Sequence, residues 1–132
     1  MSEEKKKTVS KEELEERAGI EAAADHAAEM GEKDINERLP YVIKLSRPYM
    51  LEGKEMTEVD LSGLEDLTTA YAEYLDRVMQ KMNYHPKDKF RDITYTKHIA
   101  MRVTNLPIEF FNTLKWKDQQ AITSRITIYF LF

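Results

Sequence analysis

The chain has 132 residues and a net charge of −4; 33% of its residues are charged and 42% hydrophobic. That length accommodates one domain with room for a tail. No run approaches the roughly 18 apolar residues of a membrane-spanning helix, and the lack of cysteine removes disulfides and thiolate metal sites from consideration.

The charge is unevenly spread. Residues 1–40 hold 12 acids and 7 bases, a net of −5, whereas residues 41–132 hold 12 and 13, a net of +1. Neither part has the basic excess of a dedicated nucleic-acid binder. Residues 1–9 are polar and charged and predict disorder; they lack the apolar stretch of a secretory signal. Ser10-Lys11-Glu12-Glu13 has the capping-box form, so a helix is expected from Lys11 to Met30 with Gly31 as its stop. Its apolar content is mostly alanine, which favours helix but buries little area. The expectation for 1–40 is a charged, Ala-rich arm, disordered or loosely helical. Glu32 to Pro40 serves as a linker before a domain spanning 41–132.

From Tyr41 the period changes to two. Tyr41, Ile43 and Leu45 alternate with Val42, Lys44 and Ser46, and Thr57, Val59 and Leu61 with Met56, Glu58 and Asp60. Between them Leu51-Glu52-Gly53-Lys54 predicts a tight reversal, because Gly53 tolerates positive φ. Arg47-Pro48 is expected to limit the first strand, since proline has no amide hydrogen for a ladder. A short hairpin alone is marginal in water and must lean on something. The following helix supplies that surface. Ser62-Gly63-Leu64-Glu65 has capping-box form and Thr68 is a second candidate N-cap. Leu67, Tyr71, Tyr74, Leu75, Val78, Met79 and Met82 then fall at helical spacing. His85-Pro86 is expected to end this helix.

After a charged stretch from Lys87 to Asp92, a second helix is predicted over Thr94–Thr104, broken at Asn105-Leu106-Pro107. Pro107 suits the first position of a short helix through Phe110, Phe111 and Leu114. Those adjacent phenylalanines point about 100° apart, so one is expected to pack and the other to be exposed. The last segment fits two periods. Trp116, Ile122, Ile126, Tyr129 and Phe130 keep helical spacing, while Ile122, Ser124, Ile126, Ile128, Phe130 and Phe132 alternate. Its polar start and length of roughly 16 residues favour helix. The apolar finish at Tyr129-Phe130-Leu131-Phe132 suggests a buried end, a partner site or a frame that continues elsewhere. The fold class expected is therefore mainly α with one N-terminal β-hairpin, a small α+β domain.

No catalytic constellation emerges. His26, His85 and His98 lie in separate segments, and no carboxylate or second histidine stands at ligand spacing beside them. There is no nucleophile elbow and no phosphate-cradling glycine loop. No enzyme activity, cofactor or metal is expected. Arg77, Lys81, Lys87, Lys89, Arg91, Lys97 and Arg102, interleaved with Tyr84, Phe90 and Tyr95, form a basic aromatic stretch able in principle to hold single-stranded nucleic acid. A solvated loop with core aromatics is the favoured reading of it.

Two stretches resemble a known family. Val42-Ile-Lys-Leu-Ser-Arg-Pro-Tyr-Met-Leu-Glu-Gly-Lys-Glu-Met-Thr-Glu-Val-Asp-Leu61 with Ser62-Gly-Leu-Glu-Asp-Leu-Thr68 is similar to the opening of phage tail assembly chaperones. Ala100-Met-Arg-Val-Thr-Asn-Leu-Pro-Ile-Glu-Phe-Phe111, then Leu114, Trp116, Asp118 and a closing apolar helix, is similar to their later part. The likeness covers about residues 42–132 and leaves 1–40 unmatched. It implies a non-enzymatic factor of phages and prophages that binds the tape measure protein, and in some settings the tail tube protein, and keeps the former soluble during tail morphogenesis. It implies the host bacterial cytoplasm, absence from the mature virion, and in many members a longer frameshifted form. A holding chaperone must present apolar surface to a helical client. Phe110, Phe111, Trp116, Ile126, Phe130 and Phe132 are the expected contributors to that surface or to self-association. Neither membrane nor nucleic acid is an expected partner. A structural tail component, or a small nucleic-acid-binding regulator using Lys87, Lys89 and Arg91, stands as the alternative.

Overall fold

The computed structural model describes residues 35–132. The expected helix Lys11–Met30 and the disorder expected of residues 1–9 lie outside them. The chain divides into two compact units, the larger being Tyr41–Leu131. Of the other unit, the described part includes one helical turn, Ile35–Arg38, within the stretch read as a linker.

The larger unit opens with an antiparallel hairpin, β1 (Val42–Leu51) and β2 (Lys54–Asp60). Glu52 and Gly53 both have positive φ, 52° and 80°. That is the requirement of the two-residue turn whose twist matches a hairpin, and glycine meets it without strain. Beyond Pro48 the structure departs from expectation. The strand does not stop there but continues to Leu51. Lys44 pairs with Glu58 and the next pair is Tyr49 with Met56. Residues 45–48 thus stand opposite Thr57 alone, an enlarged bulge. Proline sits where no ladder bond is required of it, which is how a strand tolerates it.

Leu61 extends the pairing by donating its N–H to the Tyr41 carbonyl at 2.9 Å. Ser62–Asp66 then forms a 3-10 turn rather than the start of the long helix, with the Ser62 N–H held by Asp60. Gly63 lets this turn lie close against Val103. A Cβ there would lie 2.8 Å from the carbonyl oxygen of Val103 and 3.1 Å from its Cβ. Gly63→Ala is therefore expected to cost about 1–3 kcal/mol through overpacking, read as a lower urea midpoint at unchanged slope.

Helix α1 (Thr69–Lys81) starts at Thr68, whose hydroxyl accepts from the Tyr71 N–H. It ends before Pro86 is reached. Asn83 turns left-handed at φ 55°, its N–H donates to the Gln80 carbonyl, and the Tyr84 N–H donates to that of Met79. This is a Schellman closure, in which asparagine takes the place usual for glycine. A 3-10 turn, Lys89–Arg91, leads into α2 (Ile93–Thr104), capped by Asp92 and stopped by left-handed Asn105. Helix α3 (Ile108–Thr113) follows with Pro107 as its N-cap, and α4 (Trp116–Leu131) closes the unit. The last segment is thus helical, its polar start having favoured that choice. The architecture is a small α+β domain, helical apart from the hairpin.

Helix α2 packs on α4, and the core gathers Ile43, Val59, Leu61 and Leu64 from the hairpin region with Leu75, Ile99, Phe111, Ile122 and Ile126 from the helices. A buried polar seam runs between α2 and α4. The hydroxyls of Thr96 and Thr123 share a hydrogen bond of 2.9 Å, and the Gln119 amide donates to Thr123 at 3.2 Å. At the other end of the interface the Thr127 hydroxyl bonds the carbonyls of Thr123 and Phe90.

Candidate functional site

Two polar junctions fix α4 and so place what lies at its ends. At its start Asp118 is 5% exposed and accepts three hydrogen bonds from β1: Ser46 N–H at 2.9 Å, Ser46 hydroxyl at 2.8 Å and Tyr49 hydroxyl at 2.7 Å. The Tyr49 oxygen accepts in turn from the Lys115 N–H. The bulge explains the geometry, because it leaves the Ser46 N–H off the ladder and free for Asp118. Farther along α4, Arg125 is 1% exposed and its guanidinium lies 4.5 Å from the centre of the Tyr41 ring, whose hydroxyl donates to Glu65. Burial lowers the Arg125 pKa from its usual value, with the charges of Tyr41 and Glu65 among the opposing influences.

The far end of α4 forms one wall of an apolar groove of about 250 Å³. The N-terminal half of α1 and Phe90, Tyr95 and Ile99 complete it. Phe130 stacks on Phe90 with centroids 4.3 Å apart and planes 13° from parallel; Phe90 meets Tyr95 edge-on at 5.9 Å. The Thr127 bond to the Phe90 carbonyl holds that ring in register with α4. Leu67, Ala72 and Leu75 supply the α1 side. Phe130 is 37% exposed, and Tyr74 and Leu131 are also large apolar groups in contact with water.

The six residues expected to form one binding face do not share it. Phe110, Phe111 and Ile126 are buried in the core. The expectation that one of the two phenylalanines would face solvent is corrected, because the side of α3 that packs into the core is wide enough to take both rings: Phe110 packs edge-on against Tyr49 and Phe111 against Phe110, while Glu109, Asn112 and Thr113 stay exposed. Trp116 is 76% exposed but stands at the opposite end of α4, about 21 Å of helix from Phe130. Phe132 is exposed and lies outside the Tyr41–Leu131 unit. Phe130 alone of the six lines the groove. Its companions there were legible as apolar, but only as core.

In the basic aromatic stretch the rings are turned inward and the cations stay at the surface, several of them engaged within the fold. Lys89 pairs with Asp76 at 3.0 Å, Arg91 with Asp88 at 3.1 Å, and Arg102 lies over the Tyr71 ring. Tyr95 is buried and Tyr84 donates to Asp92. The rings are therefore engaged within the fold rather than laid out as a stacking platform. Among the described residues no three His, Cys, Asp or Glu side chains gather as a metal site. His98 is bonded to the Thr94 carbonyl and His85 to Asn83. No helix among the described residues is long and apolar enough to cross a membrane.

Among the described residues the phenols of Tyr41, Tyr71, Tyr84 and Tyr95 are all raised, Tyr41 and Tyr95 the furthest. Tyr95 is pushed up to about 12, first by burial and then by the Asp76 carboxylate; Tyr41 is likewise pushed up to about 12, by burial and by Glu65. Both are neutral in the fold, while unfolded chains ionise near the ordinary value of 10.0. Their contribution is complete below that value and is lost as pH rises through about 12. Stability measured by urea is expected to fall across that window, and Tyr95→Phe to flatten the fall.

The chain matches no protein-family model, no curated protein and no solved structure.

Proposed function

We propose that this protein is a holding chaperone for an apolar helical client, and that the client is the tape measure protein of a phage tail. The observation that carries the proposal is the open apolar groove walled by the Phe90–Phe130 stack. At about 250 Å³ it is smaller than the usual small-molecule or cofactor pocket, and it suits one or two side chains presented by another polypeptide. The resemblance of residues 42–132 to tail assembly chaperones supplies the identity of the client. Work of this kind needs an apolar face kept in water by surrounding charge; here Arg102 lies over the groove-lining Tyr71, and Lys89, paired with Asp76, lies over Tyr95. On this reading the protein acts in the host cytoplasm and is left behind when the tail is complete.

The test is co-expression with the long helical reading frame expected downstream. Phe130→Asp is expected to fold, by circular dichroism, and to lose most of the client to the insoluble fraction. Trp116→Asp, at the other end of α4, is expected to keep it soluble. A folded Phe130→Asp protein that still holds the client in solution overturns the proposal, and so does recovery of the protein at stoichiometric copy number from purified virions.

A further inference from the structure

The three longer helices are held unequally. Two of the thirteen residues of α1 are buried, Leu75 and Met79, against four of twelve in α2 and eight of sixteen in α4. Tyr71 and Val78 are half-buried, and Tyr74 and Met82 of the same apolar stripe meet water. A helix with so few buried side chains belongs at the low end of local stability.

The polar ties of α1 are few and lie on its flanks. On one flank the Tyr71 hydroxyl donates to the His98 carbonyl at 3.2 Å, and Arg102 lies 5.2 Å from the centre of the Tyr71 ring. On the other, Asp76 takes the Lys89 ammonium at 3.0 and 3.2 Å and stands beside the Tyr95 phenol. Asp76 and Lys89 are each nearly half exposed, so their pairing adds little and salt weakens it. The Asp76 flank is also where packing is poorest. The depression of about 250 Å³ runs along Ala72 and Leu75. A second, of about 240 Å³, opens between α1 and the segment after it, lined by Asp76, Met79, Tyr84 and Lys89. Both reach Tyr95. Side chains that face such gaps lack the dispersion contacts of a closed core.

The two ends of α1 can turn. Leu67 and Thr68 are extended between the 3-10 turn and the helix, and left-handed Asn83 leads the chain out of it. Beyond Asn83 the chain is fastened elsewhere. Tyr84 donates to Asp92, the Phe90 ring stacks on Phe130, and the Phe90 carbonyl accepts from Thr127.

We propose that α1 is the movable wall of the groove: it swings away from α2 and α4 about Leu67–Thr68 and Asn83, with the Asp76–Lys89 pair as its latch, and its opening joins the two depressions into one trough. The wall made by Phe90 and Phe130 stays in place. Opening uncovers Leu75 and Met79 and gives up one neutral hydrogen bond, one cation–ring contact and the polar ties of Asp76, whereas the seam between α2 and α4 is untouched. This is hinge motion of one element against a fixed remainder. The motion follows from packing alone; its use by a client rests on the proposed function.

Native-state hydrogen exchange on the full chain tests it. The amides of residues 74–79, away from the fraying ends of α1, are expected to exchange at least about tenfold faster, relative to their intrinsic rates, than the slowest amides of α2 and α4. High salt and Asp76→Asn are each expected to speed exchange in α1 about two- to fivefold and to leave α2 and α4 unchanged. Ala72→Met, at an exposed position lining the first depression, is expected to fill it and slow exchange in α1 several-fold. The inference is overturned if residues 74–79 are as protected as α2 and α4 and exchange with them only on global unfolding. It is also overturned if Asp76→Asn leaves α1 unchanged or speeds all three helices alike. Fast exchange in α1 with a tape measure protein left insoluble defeats the client assignment alone. Uniform protection with a client held in solution defeats this inference alone.

Discussion

Asp118→Ala is expected to lower the stability of the domain by roughly 3–5 kcal/mol, a large share of the ~5–15 kcal/mol typical of a folded domain. The carboxylate is buried and accepts from Ser46 N–H, Ser46 hydroxyl and Tyr49 hydroxyl. Its removal strands the buried Tyr49 hydroxyl against an apolar methyl group, where the donor keeps its desolvation penalty, while the exposed Ser46 turns its two donors to water and loses only charge-assisted bonds. Asp118→Asn is the informative companion. Its oxygen can still accept from the Ser46 N–H, but its amide hydrogens oppose the remaining hydroxyl donors, so about half of the loss is expected to be recovered. Urea unfolding supplies the free energies. If Asp118→Ala costs under about 1 kcal/mol, solvent reaches the junction and β1 is not fastened to α4 through it.

Phe111→Ala is expected to cost about 3–5 kcal/mol, the usual penalty for emptying a buried aromatic site. The ring is 2% exposed and meets Phe110 edge-on at 5.4 Å. Helix α3 is too short to rearrange independently around the gap. The measurement also separates two roles for this residue. A core phenylalanine loses stability and client binding together, and the binding returns at temperatures where the variant is folded. A client-facing one would lose binding with the stability intact. By contrast Phe130→Ala, at a partly exposed position, is expected to cost about 1 kcal/mol or less in stability, and its effect is to fall on binding.

Several elements were legible because the interactions that make them are local. Gly53 marked the hairpin turn, Thr68 marked the start of α1, and the polar opening of Trp116–Leu131 outweighed its alternating β-branched residues. Most misreadings arose where a distant residue decides. Pro48 argued for a strand end, and nothing near it in the chain shows that Asp118 makes an irregular strand worth keeping. Pro86 argued for the helix stop, yet Asn83 had already supplied a left-handed closure three residues earlier. The capping-box spacing at Ser62 was satisfied instead by a 3-10 turn, whose close approach to Val103 only the tertiary fold imposes.

The candidate site divides in the same way. That Leu67, Leu75, Tyr95 and Phe130 belong to apolar helical stripes was plain from spacing, whereas Phe90 stood in a charged stretch. Whether such a stripe is closed over or left open depends on how far apart the helices stand, and that is a matter of summed packing rather than of any one side chain. Periodicity determined that this chain would be helices behind a hairpin, since each turn of backbone answers to its own neighbours. Which phenylalanines meet water was settled only when α3 went under and the tip of α4 stayed at the rim. Burial is a property of the assembled layers, and a residue's own chemistry is silent about how many of its sides will be covered.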